Sequence, residues 1–132
     1  MAARPSFWTR LMTSIKTLFG GSTTSKQPAF DPEEKDGVWY QELQPGVVRV
    51  GLTPFAYQDI GGVSFMDFSN PDDAIESGDD LIELEGDKAV ETLKAPVTGR
   101  IIARNNDLLK ATDDLQNRSN QDNWLVDIKV AH

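Results

Sequence analysis

The chain has 132 residues, of which 39% are hydrophobic and 26% charged, and its formal net charge is −8. This composition is typical of one globular domain with a flanking segment, and so acidic a chain would repel a nucleic-acid backbone. There is no cysteine, and the single histidine, His132, is the last residue. Disulfides, thiolate nucleophiles and sulfur-ligated zinc are therefore excluded, and the usual groups for acid–base catalysis are nearly absent. The composition favours a protein that is not an enzyme.

Charge divides the chain near residue 30. Residues 1–30 carry four basic residues and no acidic one, whereas residues 31–132 carry nine basic and 21 acidic residues, a net charge of −12. Apolar residues recur at helical spacing over residues 5–19, which predicts a basic amphipathic helix, and residues 20–25 predict a flexible linker. This leader could touch a membrane or a partner protein, serve as a mitochondrial transit peptide, pack on its own domain, or form a disordered tail.

Short strands dominate the predicted body, which begins at residue 31. The pattern predicts a hairpin of strands 38–40 and 47–52, then a helix at 53–60 with Thr53 as its cap and Pro54 at its first position. A half-buried strand is predicted at 63–68. Later strands are expected at 81–84, 90–93 and 124–130, with a turn and a strand over 96–104 and a short helix at 105–110. Trp39 and Trp124 are expected to be core residues.

These elements predict a mainly β fold, either a flattened barrel or a sandwich of short antiparallel strands, with two short helices. The acidic pairs at residues 72–73 and 79–80 lack the spacing of a calcium loop. We therefore interpret them as turns, and no metal site is expected.

Residues 78–101 predict a second hairpin, with a lysine at its tip. Gly86 and Asp87 are typical turn residues and would place Lys88 in solvent. Apolar residues on both arms are expected to anchor the hairpin: Leu81 and Leu84 against Val90 and Leu93. Lys94, the other lysine of the hairpin, would lie within an arm. A rigid tip with a free lysine suits modification by an enzyme, although the residues alone also fit an ordinary solvated lysine.

Two stretches resemble the lipoyl-lysine hairpin: Glu85-Gly86-Asp87-Lys88-Ala89 and Ala95-Pro96-Val97-Thr98-Gly99. Lipoyl-bearing proteins show Glu-x-x-Lys-Ala followed by Pro-x-x-Gly, both in acyltransferase lipoyl domains of 2-oxoacid dehydrogenases and in the H protein of the glycine cleavage system. The resemblance implies lipoate joined covalently to Lys88. It also implies a set of hairpin recognition residues: Glu85, Gly86, Asp87, Ala89, Pro96 and Gly99. Biotin carriers flank their lysine with methionines, so biotin is disfavoured.

The order of the other motifs favours the H-protein family. Residues 50–65 resemble its strand–helix–strand segment, and residues 106–126 resemble its C-terminal helix and closing strand. The resemblance implies a carrier subunit with a swinging lipoamide arm that shuttles an aminomethyl group during glycine decarboxylation. Implied partners are a lipoate ligase or lipoyltransferase, glycine decarboxylase, aminomethyltransferase and dihydrolipoamide dehydrogenase. The implied location is the bacterial cytoplasm, or a mitochondrion if the leader is a transit peptide.

Some features depart from the usual family pattern. The customary His-Glu-Trp is missing, since Gly37 and Val38 precede Trp39, and the basic leader is unusual. These features resemble a divergent bacterial H-like subgroup that occurs with macrodomain and sirtuin-type ADP-ribosyltransferase proteins. The alternatives are therefore a lipoyl protein in a redox or stress response linked to ADP-ribosylation, and an unmodified interaction module.

Overall fold

A computed structural model describes residues 29–131, which form nine antiparallel strands in two sheets. The strands are β1 Glu33–Lys35, β2 Val38–Gln44, β3 Val47–Leu52, β4 Val63–Phe68, β5 Ala74–Ile75, β6 Asp80–Gly86, β7 Val90–Lys94, β8 Gly99–Arg104 and β9 Trp124–Val130. The larger sheet has the order β1-β2-β3-β9-β8-β5, and the smaller sheet has the order β4-β6-β7. The predicted mainly β fold is confirmed. The predicted leader helix, its linker and His132 lie outside the described residues.

One hydrophobic core joins the two sheets. The β2–β3 hairpin and the closing strand β9 supply its larger-sheet side, including Val50, Leu52 and Ile128. Ile82 and Leu84 supply its smaller-sheet side, and both are fully buried. Burial of such a side chain stabilises the fold by about 1.5–3 kcal/mol. The core therefore fixes β6, and with it the hairpin that β6 begins, against the rest of the domain.

The predicted helices are short 3₁₀ segments. Two follow β3, at Pro54–Ala56 and Gln58–Ile60, and two precede β9, at Asn106–Lys110 and Thr112–Asn117. Thr53 and Pro54 occupy the predicted N-cap and first positions, but the Thr53 hydroxyl accepts no hydrogen bond from the helix and instead donates to the carbonyl of Gly37 at 2.8 Å. Segments this short are often 3₁₀ in character. Within residues 29–131, no helix is long and apolar enough to cross a membrane.

The two strand tryptophans have different environments. Trp39 is 2% exposed, which confirms the prediction, and its indole Nε1 donates to the carbonyl of Asn120 at 2.9 Å. Trp124 is only half-buried, so its assignment to the core holds in part. The guanidinium carbon of Arg49 lies 4.0 Å from the centre of a Trp124 ring, and Arg49 also makes two hydrogen bonds to Asp127. The guanidinium group of Arg49 thus covers part of the Trp124 ring that the core does not bury.

Gly51 is required by the position of Trp39. A Cβ atom at residue 51 would lie 2.3 Å from the indole ring of Trp39. We expect Gly51→Ala to lower the free energy of unfolding by about 1–3 kcal/mol, because the added methyl overpacks the core. Urea unfolding followed by circular dichroism measures this loss.

Trp39→Phe provides the control for Gly51→Ala, because phenylalanine lacks the ring atoms that the methyl would meet. The double variant should lose less stability than the sum of the two single variants. Additive losses would show that the two residues do not compete for the same space.

Candidate functional site

The structure places Lys88 at the exposed tip of the β6–β7 hairpin. Glu85 pairs with Val90, and the amide of Gly86 donates to the carbonyl of Ala89 at 2.9 Å, which leaves Asp87 and Lys88 as a two-residue turn. Two-residue hairpin turns usually need positive φ angles, but Asp87 and Lys88 have none. Support from outside the hairpin therefore contributes to the conformation of this turn.

That support comes from the segment between the second 3₁₀ helix and β4. The backbone amide of Lys88 donates to the carbonyl of Ile60 at 2.9 Å. Gly61 has a φ of +81°, and a Cβ atom at this position would lie 3.0 Å from Lys88 Cγ. The segment thus passes directly under the tip, and it fixes the backbone of Lys88 while the side chain stays in solvent.

Gly86 has a packing role that the sequence did not reveal. A Cβ atom at residue 86 would lie 2.0 Å from the carbonyl oxygen of Ile60 and 2.4 Å from that of Gly62. Only glycine allows the two backbones to approach this closely. Gly86 is therefore needed to keep the tip in place, whether or not a partner protein also contacts it.

The two hairpin lysines differ in their contacts. Lys94 forms an ion pair with Asp80 at the far end of the hairpin. Within the part of the chain that the structure describes, no carboxylate lies at ion-pairing distance from the ammonium group of Lys88. Three exposed acidic residues lie around the tip but form no ion pair with Lys88: Glu85, Asp87 and Glu91. Lys88 is consequently the hairpin lysine that can enter another protein's site without first breaking an ion pair.

The structure separates the predicted recognition residues into two groups. Glu85, Gly86, Asp87 and Ala89 lie with Lys88 at the tip. Pro96 and Gly99 lie beyond the other end of β7, a strand of five residues that spans about 16 Å. Gly99 pairs with Ile75 and Val130 in the larger sheet, where a Cβ atom would lie 2.1 Å from the carbonyl oxygen of Lys129. The second group therefore does not share a surface with Lys88.

One anchoring residue was predicted incorrectly. Leu81, Leu84 and Leu93 are buried and hold the hairpin on the core, as expected. Val90 is 57% exposed, because its partner Glu85 lies on the face of the smaller sheet that is turned away from the core.

A cleft of about 670 Å³ opens beside the tip. Its lining includes Gly61, Gly62 and Asp87 at the tip, together with four residues of the last 3₁₀ segment: Thr112, Asp113, Leu115 and Gln116. Tyr57 also lines the cleft, and burial raises the pKa of its phenol, so the group stays neutral at physiological pH. No sequence pattern indicates this cleft, because segments that are distant in the chain form it.

The arrangement presents an exposed amine on a fixed hairpin. Residues 29–131 contain no histidine or cysteine, and no group of three or more acidic side chains is placed to hold a metal ion. An exposed lysine on a fixed hairpin is a suitable substrate for an enzyme that forms an amide. The fold and the hairpin together define a carrier domain of the lipoyl/biotinyl type.

Comparison with known proteins identifies the family. The family model described as glycine cleavage H-protein matches residues 30–132. The glycine cleavage system H protein of Prochlorococcus marinus (strain NATL1A) is 36% identical over 90 residues, which cover 68% of this chain and 70% of that protein. A probable glycine cleavage system H protein of Thermococcus gammatolerans is 33% identical over 98 residues, which cover 74% and 72%. The chain therefore belongs to the glycine cleavage H-protein family, a family of lipoyl carriers.

A solved structure agrees with this assignment at the level of the fold. The crystal structure of a glycine cleavage system H protein from Mycobacterium marinum matches with a TM-score of 0.66 and 23% identity. The match covers 79% of this chain and 86% of the other. The family predicted from the hairpin and from the order of the motifs around it is thus confirmed by sequence, and its fold by structure.

Gly86→Ala tests the support of the tip. We expect the methyl group to push β6 away from residues 60–62, which would break the hydrogen bond from the Lys88 amide to Ile60. Hydrogen exchange of the Lys88 amide should then become at least about tenfold faster, since a lost bond of about 1.4 kcal/mol corresponds to that factor.

Gly99→Ala is the matched control, because it places the same methyl against a carbonyl in the other sheet. Gly99→Ala should lower the free energy of unfolding of the whole domain. The ratio of the exchange rate of the Lys88 amide to the exchange rates of the β6 amides should stay unchanged. Equal effects of the two variants on that ratio would refute a local role for Gly86.

Proposed function

We propose that this protein carries lipoate in amide linkage to Lys88 Nζ and shuttles an aminomethyl group between the enzymes of glycine cleavage. The observation that carries the proposal is the exposed Lys88, which makes no ion pair with residues 29–131, on a hairpin held by Ile60 in a chain of the H-protein family. The protein contributes the attachment point, and its partners contribute the catalytic groups.

Attachment needs an enzyme. A lysine ammonium group has no free electron pair on its nitrogen, so it cannot attack an acyl carbon until it loses a proton. A lipoate ligase or lipoyltransferase must remove a proton from Nζ and supply the lipoyl group as an activated acyl donor. The nitrogen then displaces the leaving group at the acyl carbon and forms the amide.

Selection of Lys88 by the modifying enzyme follows from its surroundings. Glu85, Asp87 and Ala89 flank it on an exposed surface, and they are positioned to contact an enzyme that has Lys88 in its active site. Gly86 contributes by holding the tip. Pro96 and Gly99 lie beyond the reach of such a contact and act through the fold of the second turn and β8.

Tethering explains how a protein without catalytic groups increases the rate of a pathway. An arm fixed at Lys88 presents the dithiolane to successive enzymes at a high effective concentration. In this proposal the dithiolane cycles between disulfide, aminomethylated and dithiol forms. Glycine decarboxylase, aminomethyltransferase and dihydrolipoamide dehydrogenase act on these forms in turn, in the cytoplasm. Neither the fold nor the relatives described above supports the redox role linked to ADP-ribosylation.

Lys88→Arg should abolish lipoylation, because a guanidinium cannot form the amide. Intact mass spectrometry of protein made in cells with an active lipoylation pathway measures the adduct. Lys94→Arg should retain a full adduct and serves as the control within the same hairpin. A native protein without any lipoyl or octanoyl adduct would sink the carrier proposal and favour an unmodified interaction module.

Glycine cleavage itself is tested by carrier activity. Lipoylated protein, mixed with glycine decarboxylase from the same organism, should support release of labelled CO₂ from carboxyl-labelled glycine. The unmodified protein and Lys88→Arg should support essentially none. If the lipoylated protein is inactive while an H protein known to work with that decarboxylase is active, the aminomethyl role is wrong and the lipoyl attachment still stands.

A further inference from the structure

The smaller sheet has one face that no described residue covers. We call it the outer face and define it by two rows of paired residues: Phe65, Glu85 and Val90, and then Asp67, Glu83 and Thr92. The opposite face packs on the core through Met66, Leu84 and Leu93. A register shift between Val63 and Phe65 turns Phe65 outward.

The outer face is both apolar and acidic. Phe65 is 51% exposed and Val90 57% exposed, and the two lie in one row with Glu85 between them. Asp67 and Glu83 are exposed in the next row. These two rows contain three carboxylates and no basic residue. A segment that covers this face should therefore have apolar side chains flanked by cations.

The leader of the same chain has this chemistry. Over residues 5–19, apolar side chains at Phe7, Leu11 and Ile15 recur at helical spacing. Arg10 and Lys16 flank them, and residues 1–30 contain no acid at all. The charges of the leader and of the outer face are thus opposite. By contrast, a second copy of this face or an anionic lipid surface would be repelled by its carboxylates.

The leader is also long enough to reach the outer face. The described chain begins at Ala29, whose carbonyl accepts a hydrogen bond from Gln41 Nε2 in β2. Residues 20–28 can extend over at most about 30 Å. The turn after β1 lies against β7, since a Cβ atom at Gly37 would lie 3.1 Å from Leu93 Cδ2. A domain of about 100 residues has a radius of gyration of about 13 Å, so a linker of this length can reach the faces adjacent to that point. The shared chain also raises the effective concentration of the leader at the domain.

We propose that residues 5–19 dock on the outer face of the smaller sheet, with their apolar side chains on Phe65 and Val90 and their cations beside Glu83 and Glu85. This proposal does not depend on lipoylation. It concerns the face that ends at the Lys88 tip.

The absence of cysteine makes the test direct. Thr13→Cys in the full chain, opposite the apolar face of the predicted helix, gives a unique attachment point for a nitroxide. In ¹⁵N-labelled protein at low salt, paramagnetic broadening of amide signals should concentrate in β4, β6 and β7, more than in β2 and β3. High salt should weaken it, because the Debye length falls from about 10 Å at 0.1 M to about 3 Å at 1 M.

Glu83→Lys, added to the labelled chain, should remove most of the broadening. Glu76→Lys is the matched control, because it changes the net charge equally at an exposed glutamate beside β5 in the other sheet. Broadening that is absent, that lies elsewhere, or that responds equally to both variants overturns the proposal.

Two further measurements distinguish the leader from other possible occupants of the outer face. A mixture of spin-labelled ¹⁴N chains and unlabelled ¹⁵N chains should show no broadening, and broadening there would indicate a second copy instead of the chain's own leader. Phosphatidylserine vesicles that bind the leader of a chain without any intramolecular broadening would likewise overturn the proposal in favour of a membrane.

Discussion

The contact between the hairpin tip and residues 60–62 is the constraint on which the site depends. The tip has a turn whose φ angles are unusual for a two-residue hairpin, and the Lys88 amide is satisfied by the carbonyl of Ile60 instead of within the turn. Gly86 makes this possible, because any larger residue would collide with two carbonyl oxygens. An isolated two-stranded hairpin is marginally stable in water, whereas this one is held from two sides, by the core and by residues 60–62.

The segment that supplies this contact is itself held by the core. Residues 60–62 follow the second 3₁₀ helix, whose Ile60 side chain is buried in the core, so the carbonyl that holds Lys88 is itself fixed. Ile60 therefore connects the turn directly to the core, in addition to the buried leucines that anchor β6 and β7. In the proposed function, the arm is attached to a backbone held on both sides, so its mobility would begin at the lysine side chain and not at the hairpin.

Much of this arrangement was predictable from sequence, for local reasons. Turn residues such as Gly86 and Asp87 act within a few positions, so they located the tip without knowledge of the fold. The orientation of Phe65 and Val90 was not predictable in the same way. A register shift in β4 turns Phe65 outward, and Val90 follows its partner Glu85. The packing of Gly86 on Ile60 and the cleft beside the tip depend on distant segments, and no pattern of neighbouring residues indicates them.

The unpaired state of Lys88 has a consequence for how partners distinguish successive forms of the protein. Because the ammonium group makes no ion pair with the described residues and the turn is held by backbone contacts alone, converting Lys88 to an amide removes no contact from the body. The loaded and empty forms should then share one fold and differ at the tip, where an amide would replace the positive charge of Lys88 among the exposed carboxylates of Glu85, Asp87 and Glu91. In the proposed function, partners would therefore distinguish the forms by the tip and the arm themselves and not by a rearrangement of the rest of the carrier.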